Sequence, residues 1–173
     1  CGDYLKQMFP TSKITASEAL QCPTLLQNGF GAHRIEGIGD KHVPWIHNVR
    51  TTDAVTAVDD EATLSLLRLC CEPAGREVLL RRGVAAEVVE RLPLLGISSL
   101  CNVLAAIKTA RWFELDGDDV LFTSFTDSAD MYRTRLAEMT AARGPFTEVD
   151  AEVASARHLA GCTTDHFREL VAK

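Results

Sequence analysis

No stretch of this chain approaches the roughly 18 consecutive apolar residues of a membrane-spanning helix. Its opening, Cys1-Gly2-Asp3-Tyr4-Leu5-Lys6, lacks the basic region and apolar run of a secretory leader. Positive charge is also scarce: the formal net charge is -6, the pI is near 5.3, and the only adjacent basic pair of note is Arg81-Arg82. A phosphate backbone would find no basic face here, so nucleic acid is not an expected partner. The six cysteines include no CxxC pair, and on a helix the neighbours Cys70 and Cys71 would point in different directions. The expected state is buried free thiols in a reducing compartment, in a soluble, cytoplasmic protein. His42 and His47 are five apart, off one helical face, with no acidic or cysteine partner to complete a tetrahedral set; no metal is expected. Internal repeats and low-complexity tracts are absent as well.

What remains is the balance of an ordinary globular domain, with 46% hydrophobic and 24% charged residues in 173. Strand-like runs alternate with helical patterns, the signature of an α/β sheet. Lys13 to Ser17, entered by a turn at Pro10, and Asp53 to Val58 read as strands. Asp59 and Asp60 place capping oxygens before a helix with Leu64, Leu67 and Cys71 on one face, ending near Pro73. Helical pieces over 75–82 and 85–91 follow. Ser98-Ser99 then opens the most clearly patterned helix, with Leu100, Val103, Leu104 and Ile107 on its apolar face and Lys108 off it. Asp119 to Phe125 is a candidate buried strand, followed by a turn at Thr126-Asp127-Ser128 and a helix carrying Met131, Tyr132, Leu136 and Met139. Beyond Arg143-Gly144-Pro145 the pattern becomes small-residue helical, with Val149, Val153 and Ala156, then a last short helix from about Asp165 to Ala172. The expected division is an α/β unit over 1–142 and a helical extension over 143–173. The connection from Gln21 to Val49 is long and rich in Gly, His and Asn, which marks it as a place to look for a site.

Three segments carry the chemistry: Gly31-Ala32-His33-Arg34-Ile35-Glu36-Gly37-Ile38-Gly39-Asp40-Lys41-His42-Val43-Pro44, then Gly96-Ile97-Ser98-Ser99, then Asp127-Ser128-Ala129-Asp130-Met131-Tyr132. They resemble, in order, the H-K-I-Q-G-I-G-x-x-F-x-P, G-I-S-S and D-S-G-E-R-Y stretches of the pyridoxal-phosphate family that contains cysteine synthase, cystathionine β-synthase and the tryptophan synthase β chain. The resemblance covers roughly residues 1–136. It implies a three-layer αβα sandwich, the C-terminal part of a tryptophan synthase β-like fold, with pyridoxal 5'-phosphate as cofactor.

By the same resemblance, Ser98 faces the pyridine nitrogen of the cofactor, where a neutral hydroxyl leaves the ring uncharged and suits replacement or elimination at a β carbon. Read on its own, Ser98 is an ordinary helix N-cap. Gly37 and Ile38 are the backbone beside the cofactor, and Gly39, Asp40, Lys41 and His42 form a substrate loop whose Asp-Lys-His run departs from the family. Asp127 and Ser128 stand where a strand should end, as a cofactor contact, a helix cap or both.

The family's Schiff-base lysine and its G-T-G-G-T phosphate loop have no counterpart in the sequence. Cys1 to Pro10 resembles the helix that follows that loop. The expectation is therefore a portion of an enzyme acting on a small amino-acid substrate, an O-activated serine or cysteine-like amino acid. The lysine would come from an N-terminal half, in the same or a second chain, and the whole would be a homodimer. The alternative is a non-catalytic remnant of the fold used for binding or assembly. A serine hydrolase built on Ser98 or Ser128 lacks the G-x-S-x-G elbow.

Overall fold

The computed structural model describes residues 2–170. Its elements in chain order are α1 (Gly2–Met8), β1 (Thr15–Ala19), α2 (Thr24–Gln27), β2 (Ala54–Val58), α3 (Asp60–Cys71), α4 (Pro73–Arg81), α5 (Ala86–Arg91), α6 (Ile97–Trp112), α7 (Arg133–Arg143), α8 (Glu148–Ala154) and β3 (Phe167–Glu169). Short 3₁₀ turns occupy Leu92–Leu94 and Ala129–Tyr132, and a π-helical turn continues α8 over Ser155–Ala160.

The sheet has the order β1-β2-β3, with β1 and β2 parallel and β3 antiparallel to β2. β2 is the central strand and is buried at all five positions, as the run Ala-Val-Thr-Ala-Val allows, since each side chain is small or β-branched. Successive residues face opposite sides. Val55 and Ala57 meet Leu26 of α2, whereas Ala19 and Val58 join the larger core built by α3, α4 and α6. α6 lies against that second side, where Cys101 Sγ is 3.8 Å from Ser17 Oγ of β1. Helices therefore cover both faces of the sheet. α1 is pinned to the strand entries by Lys6, whose ammonium is 2.8 Å from the Asp53 carboxylate; the same carboxylate accepts the N–H of Ile14 at 2.6 Å.

Several local expectations are corrected. The apolar run Asp119 to Phe125 is not a strand: it forms no ladder among the described residues, and Val120 and Phe122 are 76% and 92% exposed. A strand exists only by pairing, and among the described residues no strand lies beside this run. The buried side of α6 is turned from the expected one, with Leu100, Cys101, Leu104, Ala105 and Lys108 inside. Lys108 is tolerated there because its ammonium reaches the Asp165 carboxylate at 2.9 Å. Met131 is exposed while Tyr132 and Met139 are buried.

In α8 the buried residues are Ala151 and Ala154, with Val149 and Val153 outside, because small side chains allow the close approach to α4. The expected last helix is instead β3. His166 at φ 56° turns the chain, its carbonyl accepts the N–H of Ala57 at 2.9 Å, and Phe167 stacks on Trp112 at 4.8 Å. Residues 171–172 of that expected helix lie outside the described residues. Among the described residues, no helix is long and apolar enough to cross a membrane. Cys22, Cys70, Cys71, Cys101 and Cys162 are free thiols.

Candidate functional site

α6 begins at Ile97 with Gly96 as its N-cap residue, and no side chain of its own first turn caps it. The cap comes from far along the chain. Asp127 Oδ2 accepts the N–H of Ser98 at 2.8 Å, and Oδ1 accepts the N–H of Ser99 at 2.9 Å. Each oxygen takes a second donor: the Ser99 hydroxyl at 2.5 Å on Oδ1 and the Tyr132 hydroxyl at 2.9 Å on Oδ2. Four donors fill the acceptor positions of the carboxylate. Its negative charge sits at the positive end of the helix. Burial opposes that charge, but the bonds from Ser99 and Ser98 outweigh it and hold the Asp127 pKa below the usual carboxylate range. Tyr132 is shifted the other way: burial, then its bond to the carboxylate, raises its pKa well above that of a free phenol.

Gly96 is where this knot demands glycine. A Cβ there would stand 2.5 Å from Asp127 Cγ and 2.8 Å from Tyr132 Cε2, and the Gly96 N–H donates to the Asp127 carbonyl at 3.0 Å. Ser98 thus has its backbone engaged by Asp127, and its hydroxyl helps to hold the same carboxylate ionised.

The glycine-bearing loop comes in from the carboxyl end of β1. Gly37 has φ 85°, a left-handed conformation that costs glycine little. A Cβ on it would lie 3.7 Å from the Ser98 Cβ and 3.9 Å from its Oγ. A Cβ on Gly39 would lie 3.6 Å from the Ala19 Cβ at the end of β1. Ile38 packs its side chain against the main core. The structure therefore brings Gly37, Ile38, Ser98 and Asp127 together at the carboxyl end of β1 and the N-terminus of α6, with the half-buried Ser128 next in the chain.

The loop is tied from both sides. The N–H of Arg34 donates to Asp60 Oδ2 at 2.7 Å, its guanidinium pairs with Glu61, and Arg143 of α7 pairs with the same Glu61 at 2.7 Å. The bond from Arg143 and the pairing with Arg34 outweigh desolvation and hold the Glu61 pKa down at about 2. Glu36 pairs with Arg135 of α7 at 2.9 Å. By contrast Asp40, Lys41 and His42 are exposed. Asp40 and Lys41 edge an open depression of about 410 Å³ that also takes in His33 and Gly39. No group of three His, Cys, Asp or Glu side chains among the described residues could hold a metal ion.

Reading the sequence missed three features of this region. The expected caps of α3 are spent elsewhere: Asp59 accepts Gln21 Nε2 at 2.6 Å, Asp60 holds Arg34, and it is Gln21 Oε1 that accepts the Asp60 N–H at 3.1 Å. Asp127 caps α6 rather than the helix after it. Tyr132 is a polar anchor as well as a core residue, a role signalled only by the Asp-to-Tyr spacing within the third motif.

No family model matches the chain. Among curated proteins, cysteine synthase B of Campylobacter jejuni is 29% identical over 131 residues, which are 76% of this chain and 37% of that protein. Cysteine synthase of Staphylococcus aureus is 25% identical over 131 residues, 76% of this chain and 36% of its own length. The chain resembles cysteine synthases. It spans just over a third of the length of these relatives. Among solved structures, O-acetylserine sulfhydrylase isoform 3 from Entamoeba histolytica superposes with a TM-score of 0.62 at 22% identity, covering 91% of this chain and 41% of that one. A hydrogen sulfide-producing enzyme from Fusobacterium nucleatum gives 0.56 at 23%, covering 99% and 41%. The fold is the α/β, tryptophan synthase β-like one that the three motifs pointed to.

Proposed function

We propose that the chain is the C-terminal portion of a pyridoxal-phosphate-dependent, cysteine synthase-like enzyme, and that it supplies one wall of the cofactor site while the Schiff-base lysine lies outside it. The observation that carries this reading is the meeting of Gly37 and Ser98, two motif residues far apart in sequence, at the strand ends where open α/β sheets place their ligands. The fit to the cofactor is favourable on two counts. Ser98 is fixed by Asp127 on the first turn of α6, and Gly37 puts no side chain beside its hydroxyl.

In this reading Ser98 hydrogen-bonds the ring nitrogen of the cofactor, and the backbone of Gly37 and Ile38 flanks the ring. Asp127 is a positioning residue: with its four acceptor sites filled, it acts by fixing the first turn of α6 and so the place of Ser98. Ser128 borders the ring from the same turn. Gly39, Asp40, Lys41 and His42 face the small amino-acid substrate and cover it to exclude water. When bound, the cofactor supplies the electron sink for β-replacement or β-elimination on an O-activated serine or cysteine-like amino acid.

The described lysines support a lysine from outside. Lys6 is held by Asp53 and Lys108 by Asp165, Lys13 lies over the Phe113 ring, and Lys41 is exposed. An exposed lysine without a cationic neighbour is a weak nucleophile at neutral pH. The bare run Val120 to Phe125 supports a further apolar surface, in the same polypeptide or a second one, that covers it. A homodimer of the complete protein and a cytoplasmic location belong to the same reading.

The test is borohydride trapping with peptide mapping. The chain alone, incubated with pyridoxal 5'-phosphate and reduced, should take no stoichiometric label on any of its five lysines. The complete protein should carry one label, upstream of Cys1. A stoichiometric label on Lys41 overturns the proposal, and a complete protein that takes no label establishes the non-catalytic remnant instead.

A further inference from the structure

A second cavity, of about 390 Å³, lies beside the carboxyl end of β2, and neither Ser98, Gly37 nor Asp127 lines it. Its contacts on α6 are Leu104 and Lys108, roughly 9 and 15 Å along the helix from Ser98 at 1.5 Å per residue. The volume is in the range of small-molecule sites. Its floor is apolar, with Val58, Ala62 and Leu104 of the main core among its lining residues, and its rim carries charge of both signs.

Two of those charges are spent on each other. The Lys108 ammonium pairs with Asp165 Oδ1 at 2.9 Å, and the Thr163 hydroxyl donates to the same carboxylate. What is left is Arg157, which has no ion-pair or hydrogen-bond partner among the described residues, the imidazole of His158, and Asp59, while His166 Nε2 lies 3.9 Å from Asp165 Oδ2. Asp59 uses Oδ1 for Gln21 at 2.6 Å, and its Oδ2 has no partner among the described residues. Burial, and then Arg157, push the His158 pKa below that of a free imidazole, against the pull of Asp59 and Glu61. A ligand carboxylate there would reverse that balance.

The backbone at this rim is unusual in the same place. The Gly161 N–H donates to the Ala156 carbonyl at 2.8 Å, an i to i−5 bond that closes the π-helical turn over Ser155–Ala160. Such single turns within α-helices recur at functional sites. Arg157 and His158, both on this turn, line the cavity.

We propose that this cavity binds a small zwitterion, an α-amino acid with a short apolar side chain, with its carboxylate on Arg157 and His158, its ammonium on Asp59 and its side chain on the Leu104 floor. The site is independent of the reading given for Ser98. Half of its lining residues lie on the 157–166 stretch, and it needs neither the cofactor nor the Schiff-base lysine.

The experiment is an NMR titration of the full chain with L-norvaline, following the imidazole resonances of its five histidines. Pentanoate, which lacks the ammonium, and butylamine, which lacks the carboxylate, serve as separate probes. Norvaline should shift His158 and His166 saturably, leave His33, His42 and His47 in place, and raise the pKa of His158. Each of the other probes should bind roughly tenfold or more weakly, since each loses a charged contact. Arg157→Ala, at an exposed position that a folded chain tolerates, should weaken norvaline by a similar factor, Arg157→Lys should recover part of it, and Ser98→Ala should leave it unchanged. Absence of a saturable shift overturns the proposal, as does equal binding by Arg157→Ala with its circular dichroism intact. Pentanoate binding as tightly as norvaline also overturns it, because the ammonium contact would then be absent.

Discussion

Asp127→Asn isolates the contact on which the geometry around Ser98 depends. The amide keeps the shape of the carboxylate, but one of its two heads becomes a donor and must face either the Ser98 N–H and Tyr132 hydroxyl or the Ser99 N–H and hydroxyl. Both arrangements set donor against donor. A hydrogen bond to a charged group contributes about 1.5–3 kcal/mol and a helix cap about 1 kcal/mol, and four bonds sharing one carboxylate do not add. The expected loss is therefore about 3 kcal/mol, or roughly 6–12 °C in Tm for a chain of this size. Urea and thermal unfolding followed by circular dichroism measure it.

The pH dependence has a fixed sign. The folded-state pKa of Asp127 is depressed, so its contribution is present above the unfolded value, about 3.9, and is lost as pH falls through the lower folded value. The stability gap between the parent chain and Asp127→Asn should narrow on acidification. Tyr132→Phe should couple to Asp127→Asn by about 0.5–3 kcal/mol in a double-mutant cycle. A loss under about 0.5 kcal/mol at pH 7, the scatter of an ordinary surface substitution, or a gap that does not narrow in acid, would refute the reasoning.

Gly96→Ala should cost about 1–3 kcal/mol, because its methyl would enter space held by Asp127 and Tyr132. Gly117→Ala, which meets nothing within 4 Å, should stay within about 0.5 kcal/mol; equal urea midpoints for the two variants would contradict the close approach. In the chain alone, Ser98→Ala should change stability by less than about 0.5 kcal/mol, whereas Ser99→Ala should lose about 1–2 kcal/mol with its bond to Asp127. In the complete, cofactor-loaded protein Ser98→Ala should cost roughly 1–3 kcal/mol of cofactor function, and an unchanged spectrum and turnover would remove Ser98 from the site. Glu61→Gln should lower stability at neutral pH by about 1 kcal/mol, the pairs being partly exposed and screened. Because the Glu61 pKa is depressed to about 2 from 4.5, that difference should fade as pH drops through this interval, and a difference that persists below it would count against the pairing.

The parts of the fold that could be read along the chain are those decided by neighbours in sequence. The β-branched run of β2, the Pro73 break between α3 and α4, and the glycine and serine motifs all act within a few residues, and each stands where periodicity and turn chemistry put it. The parts that could not be read depend on partners far away. The cap of α6 is a carboxylate 29 residues from the N–H it serves, so Ser98 looked like its own cap and Asp127 like the cap of the following helix. Lys108 is buried because of a carboxylate 57 residues on, and no hydropathy scale sees that. Asp165 to Ala172 carries the composition of a short helix end, yet the pairing of Phe167–Glu169 to β2 and the Phe167–Trp112 stack make a strand of those three residues.

The run Asp119 to Phe125 bears most directly on the function proposed. Its pattern is that of a buried strand, and the pattern is a property of the residues; whether the strand forms depends on what lies beside it. In the described chain nothing pairs with it, and its apolar side chains stand in solvent at a cost of about 25 cal/mol for each Å² left uncovered. The same chain is similar to proteins of which it covers 36–37%. An apolar run with a strand pattern and no strand beside it is the local preference that the proposed covering surface would satisfy. In the function proposed above, that surface and the Schiff-base lysine are called for on separate grounds, one by packing and the other by chemistry.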